Sequence, residues 1–401
     1  MHELTSFGLI VLLVGAALSA ALLASKLTAR ASIPAAALFL LAAAVASDVF
    51  PTLTVSIATL ERLGTVALIV ILFDGGSSIG LHRLRVAAAP IAALGILGTF
   101  ATAGLVALFA HWAFGFGWVT AGLLGAAIAP TDPAVMFSVL GDREIGGRPG
   151  TILEGESGAN DPVGIALMVG MIQLATHADA TFWIVVRVFC EQIAIGLAFG
   201  IVGGLAERRL LERVSLPSSG LSTIRTLGLA GLVYGATSVA HGSGFLAVFV
   251  AGLIVGDVEA PFKAEIDAFQ DGLATLAEIV VFIALGLTID LSSVGVSRWG
   301  EGLAFAAFAA LVARPLALAP ILGPTTLRRG ERLFITWGGL KGAVPILLAA
   351  FALAQHVPDA PQIYEIVFVV VLASVIVQGG TISYAARRFG IESKRPGERA
   401  G

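Results

Sequence analysis

Three acidic residues of this chain stand where a carboxylate is costly. Asp132 lies in Pro130-Thr131-Asp132-Pro133, and Glu156 and Asp161 lie in Glu156-Ser157-Gly158-Ala159-Asn160-Asp161-Pro162. Both motifs fall inside runs apolar enough to cross a bilayer, where an ionised carboxylate costs at least ~2.5–3.5 kcal/mol and marks an ion or proton path. The residue types suit a hard cation. Prolines on either side of Thr131 and Asp132 remove backbone donors and break the helical ladder. Unwound backbone at that depth is tolerated only where it is buried in protein or lines a cavity, to which it offers carbonyl oxygens. Ser157 and Asp161 are four apart and share a helix face, as do Glu156 and Asn160. The oxygens of Thr131, Asp132, Ser157 and Asp161 together make a candidate shell for an alkali cation. Two bases, Arg314 and Lys341, also lie inside apolar runs. Glu156 is the expected partner of Arg314, since a buried charge is normally paired. Asp74, in Phe73-Asp74-Gly75-Gly76, is a further charge of this kind.

The elements that must position these groups are membrane spans. The 401 residues are 57% hydrophobic and only 13% charged, against about 25% charged in a soluble domain. The chain is therefore read as one integral membrane domain over 1–401, with a short cytoplasmic tail at 387–401 and the lipid bilayer as its surroundings. Thirteen spanning helices are predicted, near 4–25, 33–50, 62–80, 86–111, 117–140, 151–175, 182–206, 222–240, 243–256, 272–290, 299–323, 332–355 and 362–386. The first lacks a basic leader and is expected to be retained. Strands are not expected, because the runs are too long for the alternating segments of a barrel. The six histidines lack metal-ligand spacing and the single cysteine, Cys190, has no mate, so neither a metal cofactor nor an intrachain disulfide is expected. No cofactor and no nucleic-acid partner are expected.

Orientation follows from the bases. Of 24 Lys and Arg, only Arg62 and Arg298 fall in one set of alternate loops, Arg187, Arg314 and Lys341 lie within spans, and the rest fall in the other set or the tail. The positive-inside rule then places the N-terminus outside and the C-terminus in the cytoplasm, consistent with an odd number of spans. A weak repeat pairs the third segment with the tenth and the fifth with the twelfth. Asp74 and Asp132 are 58 positions apart, and Gly286 and Lys341 are 55 apart. An offset of seven helices is odd, so the second copy is inverted, with repeats at roughly 4–175 and 222–386 joined by a helix at 182–206. Interruptions at Pro130, Pro133 and Pro345 occupy matching places, the arrangement that points to a secondary transporter. At about 1.5 Å per residue, Asp132, Asp161, Arg314 and Lys341 all fall roughly 13–15 Å from the inner edge, near the middle of a ~30 Å core.

Counting Asp132, Glu156 and Asp161 against Arg314 and Lys341 leaves one negative charge, which one cation or one proton neutralises. Competition between the two for one carboxylate would couple their opposite movement one for one. The count puts the five groups in one cavity and Asp74 outside it. The other acids have plainer expectations. Arg187 and Glu191 form an i,i+4 structural pair, Glu154 sits near a helix entry, and Glu278, Glu365 and Asp290 are interfacial. On the residues alone, an intramembrane aspartyl protease, a cation channel and an organic-anion symporter remain as alternatives.

The motifs resemble those of the monovalent cation/proton antiporters, in particular the electroneutral NhaP-like and NHE-like branch. The matching stretches are Phe73-Asp74-Gly75-Gly76, Ala129-Pro130-Thr131-Asp132-Pro133, Glu156-Ser157 with Asn160-Asp161-Pro162, Ala313-Arg314-Pro315, and Trp337 through Pro345. The resemblance implies an all-α polytopic fold of inverted six-helix repeats with two crossed discontinuous helices. It implies exchange of Na+, Li+ or K+ for H+ across the cell membrane, by a protein that is not an enzyme. Asp161 is implied as the carrier of cation and proton, with Thr131, Ser157 and Asp132 as further ligands. Asn160 is implied to steady the break or Asp132, and Glu156 to pair with Arg314. A homodimer is implied too. Lys341 departs from the arginine that relatives often carry, which keeps the charge and loses the bidentate fork.

Overall fold

In lipid a backbone must satisfy its own donors, so apolar runs of this length fold as helices. The computed structural model describes residues 34–50, 52–132, 144–145, 148–177, 179–214, 216–391 and 393–394, with positions 15, 19 and 136. These form α1 (Ala35–Val49), α2 (Ile57–Arg85), α3 (Ala87–Phe114), α4 (Trp118–Ile128), α5 (Arg148–Thr176), α6 (Phe182–Arg213) and α7 (Ser219–Val239). The chain continues through α8 (Gly244–Gly256), α9 (Lys263–Gly286), α10 (Val296–Leu322), α11 (Arg329–Trp337), α12 (Ala343–Ala354) and α13 (Ala360–Arg388). Six of them, α2, α3, α6, α9, α10 and α13, are long and apolar enough to cross a membrane. The expected span 4–25, and Pro133 with most of the chain from there to 143, lie outside the described residues. Among the described residues the only strand pairing joins Glu144–Ile145 antiparallel to Ser393–Lys394, with Glu144 opposite Lys394.

Local chemistry explains the helix limits. Ser56, Ser218 and Ser243 cap α2, α7 and α8, each hydroxyl accepting the N–H three residues on, as N-caps do. The expected span 332–355 is two helices, α11 and α12, separated by Gly338–Gly342. Pro345 is not what breaks it. It sits in the first turn of α12, where its missing N–H costs nothing, and the glycine run makes the interruption. The helix expected at 182–206 runs further: α6 continues to Arg213, and Glu207 is fully buried.

Close helix contact is made through glycine. A Cβ at Gly76 would overlap the carbonyl of Phe249, and one at Gly252 the carbonyl of Phe73, so α2 and α8 touch backbone to backbone. On its other side α8 meets Gly196, Gly200 and Gly204 of α6, whose Cβ positions point at Ser243, Ala247 and Ala251. A compact apolar cluster of Phe73, Leu211, Val233, Val248 and Ile266 fills the space where α2, α6, α7, α8 and α9 meet. Helix α1 packs on α9, while α3, α4, α10 and α11 pack around α5 and α13.

Three stretches are wound as π-helix: Ala93–Gly98 in α3, Ala309–Ala313 in α10 and Ser374–Gly379 in α13. Such bulges are rare and gather at functional sites. All three lie beside the residues described next.

Candidate functional site

The site is built where two helices stop inside the bundle. α4 ends at Ile128, and Pro130 contributes no N–H to continue the ladder. Opposite it, α11 ends at Trp337 and α12 begins at Ala343. The two breaks touch: the N–H of Asp132 donates to the carbonyl of Leu340 at 2.8 Å. The Lys341 Nζ donates to the carbonyls of Ala129 at 2.9 Å and Pro130 at 3.1 Å. An ammonium thus sits at the negative end of α4. Asp132 lies at the positive end of α12, so close that a Cβ at Gly342 would overlap its carboxylate. Each break supplies the charge that complements the other's helix dipole.

α5 holds the first break in place. The Ser157 hydroxyl donates to the Thr131 carbonyl at 2.7 Å. Asn160 grips the same residue twice, its Nδ2 donating to Thr131 Oγ1 at 2.8 Å and its Oδ1 accepting the Thr131 N–H at 3.3 Å. Asn160 therefore braces Thr131. Pro162 withholds the N–H that would bond to the Gly158 carbonyl, one turn earlier, and Gly158 lines the cavity below.

Glu156 and Arg314 form the expected pair. The guanidinium places Nη1 2.7 Å from Oε1 and Nη2 3.0 Å from Oε2, a two-pronged contact, and both residues are buried. Its other donors reach the Thr336 and Ile335 carbonyls at the end of α11. A Cβ at Gly339 would overlap the guanidinium, which is why the chain has no side chain there. The π-turn before Pro315 sets Arg314 on this side of α10.

A cavity of about 460 Å3 opens beside the breaks. Six carboxylates line it: Asp74 from α2, Asp132, Glu154 and Asp161 from the first break and α5, and Asp271 and Glu278 from α9. Ser157 joins them. Asp161 is buried at 6% exposure, and its Oδ1 has no hydrogen-bond partner among the described residues. Glu156, Arg314 and Lys341 do not line the cavity. The charge count made from sequence is corrected on three points: Asp74 faces the cavity, the Glu156–Arg314 pair lies beside it, neutralising itself, and Lys341 is turned to the carbonyls of the first break.

Two further groups escaped the sequence reading. Ser374 Oγ accepts the Lys341 N–H at 2.9 Å and donates to Gln378 Oε1 at 2.6 Å, while Gln378 Nε2 donates to the Trp337 carbonyl at 3.2 Å. They brace the second break as Asn160 and Ser157 brace the first. A Ser and a Gln four apart in an apolar span were the available signal. Glu278 was expected at a segment end; α9 starts earlier than predicted, at Lys263, which carries Glu278 inward to the cavity. The other acids find these partners. Arg187 and Glu191 pair at 2.8 Å and Glu154 meets Arg83 at 3.3 Å. Glu365 lies 3.9 Å from Arg298, and exposed Asp290 accepts from Ser292 and Ser293, bonds that hold its carboxyl below the usual range.

With this geometry in view, likeness to known proteins is informative. A curated relative from Alkalimonas amylolytica, the K(+)/H(+) antiporter NhaP, is 38% identical over 332 residues, covering 82% of this chain and 58% of that protein. The K(+)/H(+) antiporter NhaP2 of Shewanella sp. strain ANA-3 is 34% identical over 386 residues, 95% of this chain and 67% of the relative. The chain thus spans 58% and 67% of the lengths of these two relatives. The sodium proton antiporter MjNhaP1 of Methanocaldococcus jannaschii, solved at pH 8, superposes with a TM-score of 0.79. It covers 94% of this chain and 100% of the other at 23% identity, so it shares the fold. The family model for the transmembrane part of sodium/hydrogen exchangers matches residues 11–388, and the chain is a multi-pass membrane protein of the sodium/hydrogen exchanger family.

Proposed function

We propose that the chain is a secondary antiporter that exchanges a monovalent alkali cation for a proton, one for one, by alternating access. The observation that carries this is Asp161: a buried carboxylate at the cavity wall, one oxygen unpartnered, next to two crossed helix breaks. Such a group must be neutralised, and either a proton or an alkali cation can do it. Asp132, Thr131 and Ser157 supply further oxygens for the cation. Asn160 keeps Thr131 in position, Glu156 and Arg314 lock α5 to α10, and Lys341 balances one carboxylate of the pair Asp132 and Asp161. Asp74 lies along the approach. The names of the relatives support both ions, potassium for those at 34–38% identity and sodium for the Halobacillus aidingensis Na(+)/H(+) antiporter NhaH at 27%.

The finer architecture belongs to the same reading. Helix breaks at matching places support inverted repeats at roughly 4–175 and 222–386, with the helix from 182 between them. The distribution of Lys and Arg supports an outside N-terminus and a cytoplasmic C-terminus in the cell membrane. The cavity mouth, marked by Arg83, Glu154 and Asp271, then faces the cytoplasm. Family resemblance supports a homodimer.

Proteoliposomes test the exchange directly. Internal pH is followed after addition of Na+, Li+ or K+, with and without a clamped membrane potential. Cation-driven proton movement that ignores the potential, and that Asp161→Asn abolishes, is the expected result. Undiminished flux in that variant would sink the proposal.

A further inference from the structure

Glu278 faces the same cavity as Asp132 and Asp161, from α9. Asp271, Ala274, Thr275 and Glu278 line it at spacings of three, four and seven, so one face of α9 runs from the exposed Asp271 inward. Glu278 is half-buried and close enough to Asp132 for their charges to interact. None of the salt bridges among the described residues includes it. A carboxylate kept inside a span for structural reasons is ordinarily paired with a base. This one meets a cavity and other acids.

We infer that Glu278 is a third acidic member of the exchange site, acting through its charge to raise the affinity of Asp161 for both competing ions. The inference rests on the antiport reading above. A nearby negative charge favours any positive partner of a carboxylate, the proton included. Removing it therefore weakens both ligands of Asp161 together, which is different from removing a ligand of the cation alone. The charged groups that line the cavity with Glu278 are Asp132 at the break, Asp161 and Glu154 on α5, Asp74 on α2 and Asp271 on its own helix. α12 presents Ala343 and Val344, and α8 presents Phe249. Lys341 bonds to carbonyls behind the break, leaving the cavity side acidic.

The test is the pH dependence of cation-driven exchange in Glu278→Gln and Glu278→Asp proteoliposomes. For Glu278→Gln, half-saturating cation at alkaline pH should rise about tenfold. The pH below which half-saturating cation begins to climb, set by the proton affinity of Asp161, should move about one unit lower. Glu278→Asp, which keeps the charge, should restore most of both shifts. An unchanged pH profile and affinity in Glu278→Gln would overturn the inference. So would a collapsed maximal rate in both variants with no pH shift, the sign of a packing role. Wild-type protein without any cation-driven proton movement would instead overturn the antiport reading, and this inference with it.

Discussion

Arg314 shows what a single buried charge demands. Its guanidinium spends two prongs on Glu156 and two further donors on two carbonyls of α11, so four of its five N–H groups are bonded. Removing one partner from such a pair leaves an uncompensated charge and costs about 3–5 kcal/mol. Glu156→Gln is therefore expected to lose stability at the low end of that range, since the carbonyls remain. A thermal unfolding midpoint in detergent unchanged from wild type would contradict it. This pair was legible in the sequence, because a carboxylate inside a span demands a base and Arg314 lay on another span at a similar depth. So was the Asn160–Asp161 motif. Ser374 and Gln378 were not, since neutral polar residues carry little cost in a span and look like ordinary packing. Glu278 was misplaced for a different reason: the predicted start of its helix was nine residues late, and that error moved it from the cavity to an interface.

At the scale of elements, hydropathy located nearly every described helix but could not tell a continuous span from a broken one. A window over 332–355 averages across Gly338–Gly342, and Pro345 drew attention to the wrong turn. What settles the break is packing. Arg314 fills the space over Gly339, and the Asp132 carboxylate fills that over Gly342. The same principle governs α8, held against α2 at Gly252 and against α6 at Gly200, with no room for a methyl group at either contact. Gly252→Leu should force α2 and α8 apart and, by overpacking, cost at least ~1–3 kcal/mol. Gly104→Leu on α3, where nothing lies within 4 Å, is the control and should be nearly neutral. Equal loss of monodisperse protein from the two variants, on size-exclusion chromatography, would show that α8 is not clamped as described.

For the molecule as a whole, the charge distribution and the cavity make one linked claim. Arg83, Lys263, Arg328 and the α13 end at Arg387 and Arg388 lie at helix ends of one set, while Ser297 and Asp359 lie at ends of the other. At the second set Thr120 Oγ1 donates to Asp359 Oδ2 at 2.9 Å, tying α4 to α13. Acidic walls open towards the first set, through Asp271 and Glu154. If the first set is cytoplasmic, the structure is open to the cytoplasm and latched on the outer side, the conformation from which the exchange proposed at Asp161 would draw on the cell interior. The claim is testable with one exposed native cysteine to remove. In a Cys190→Ser background, Ser297→Cys should react with a membrane-impermeant maleimide on intact cells, and Arg329→Cys only after permeabilisation. The reverse pattern would invert the topology, and the acidic cavity would then be loaded from outside.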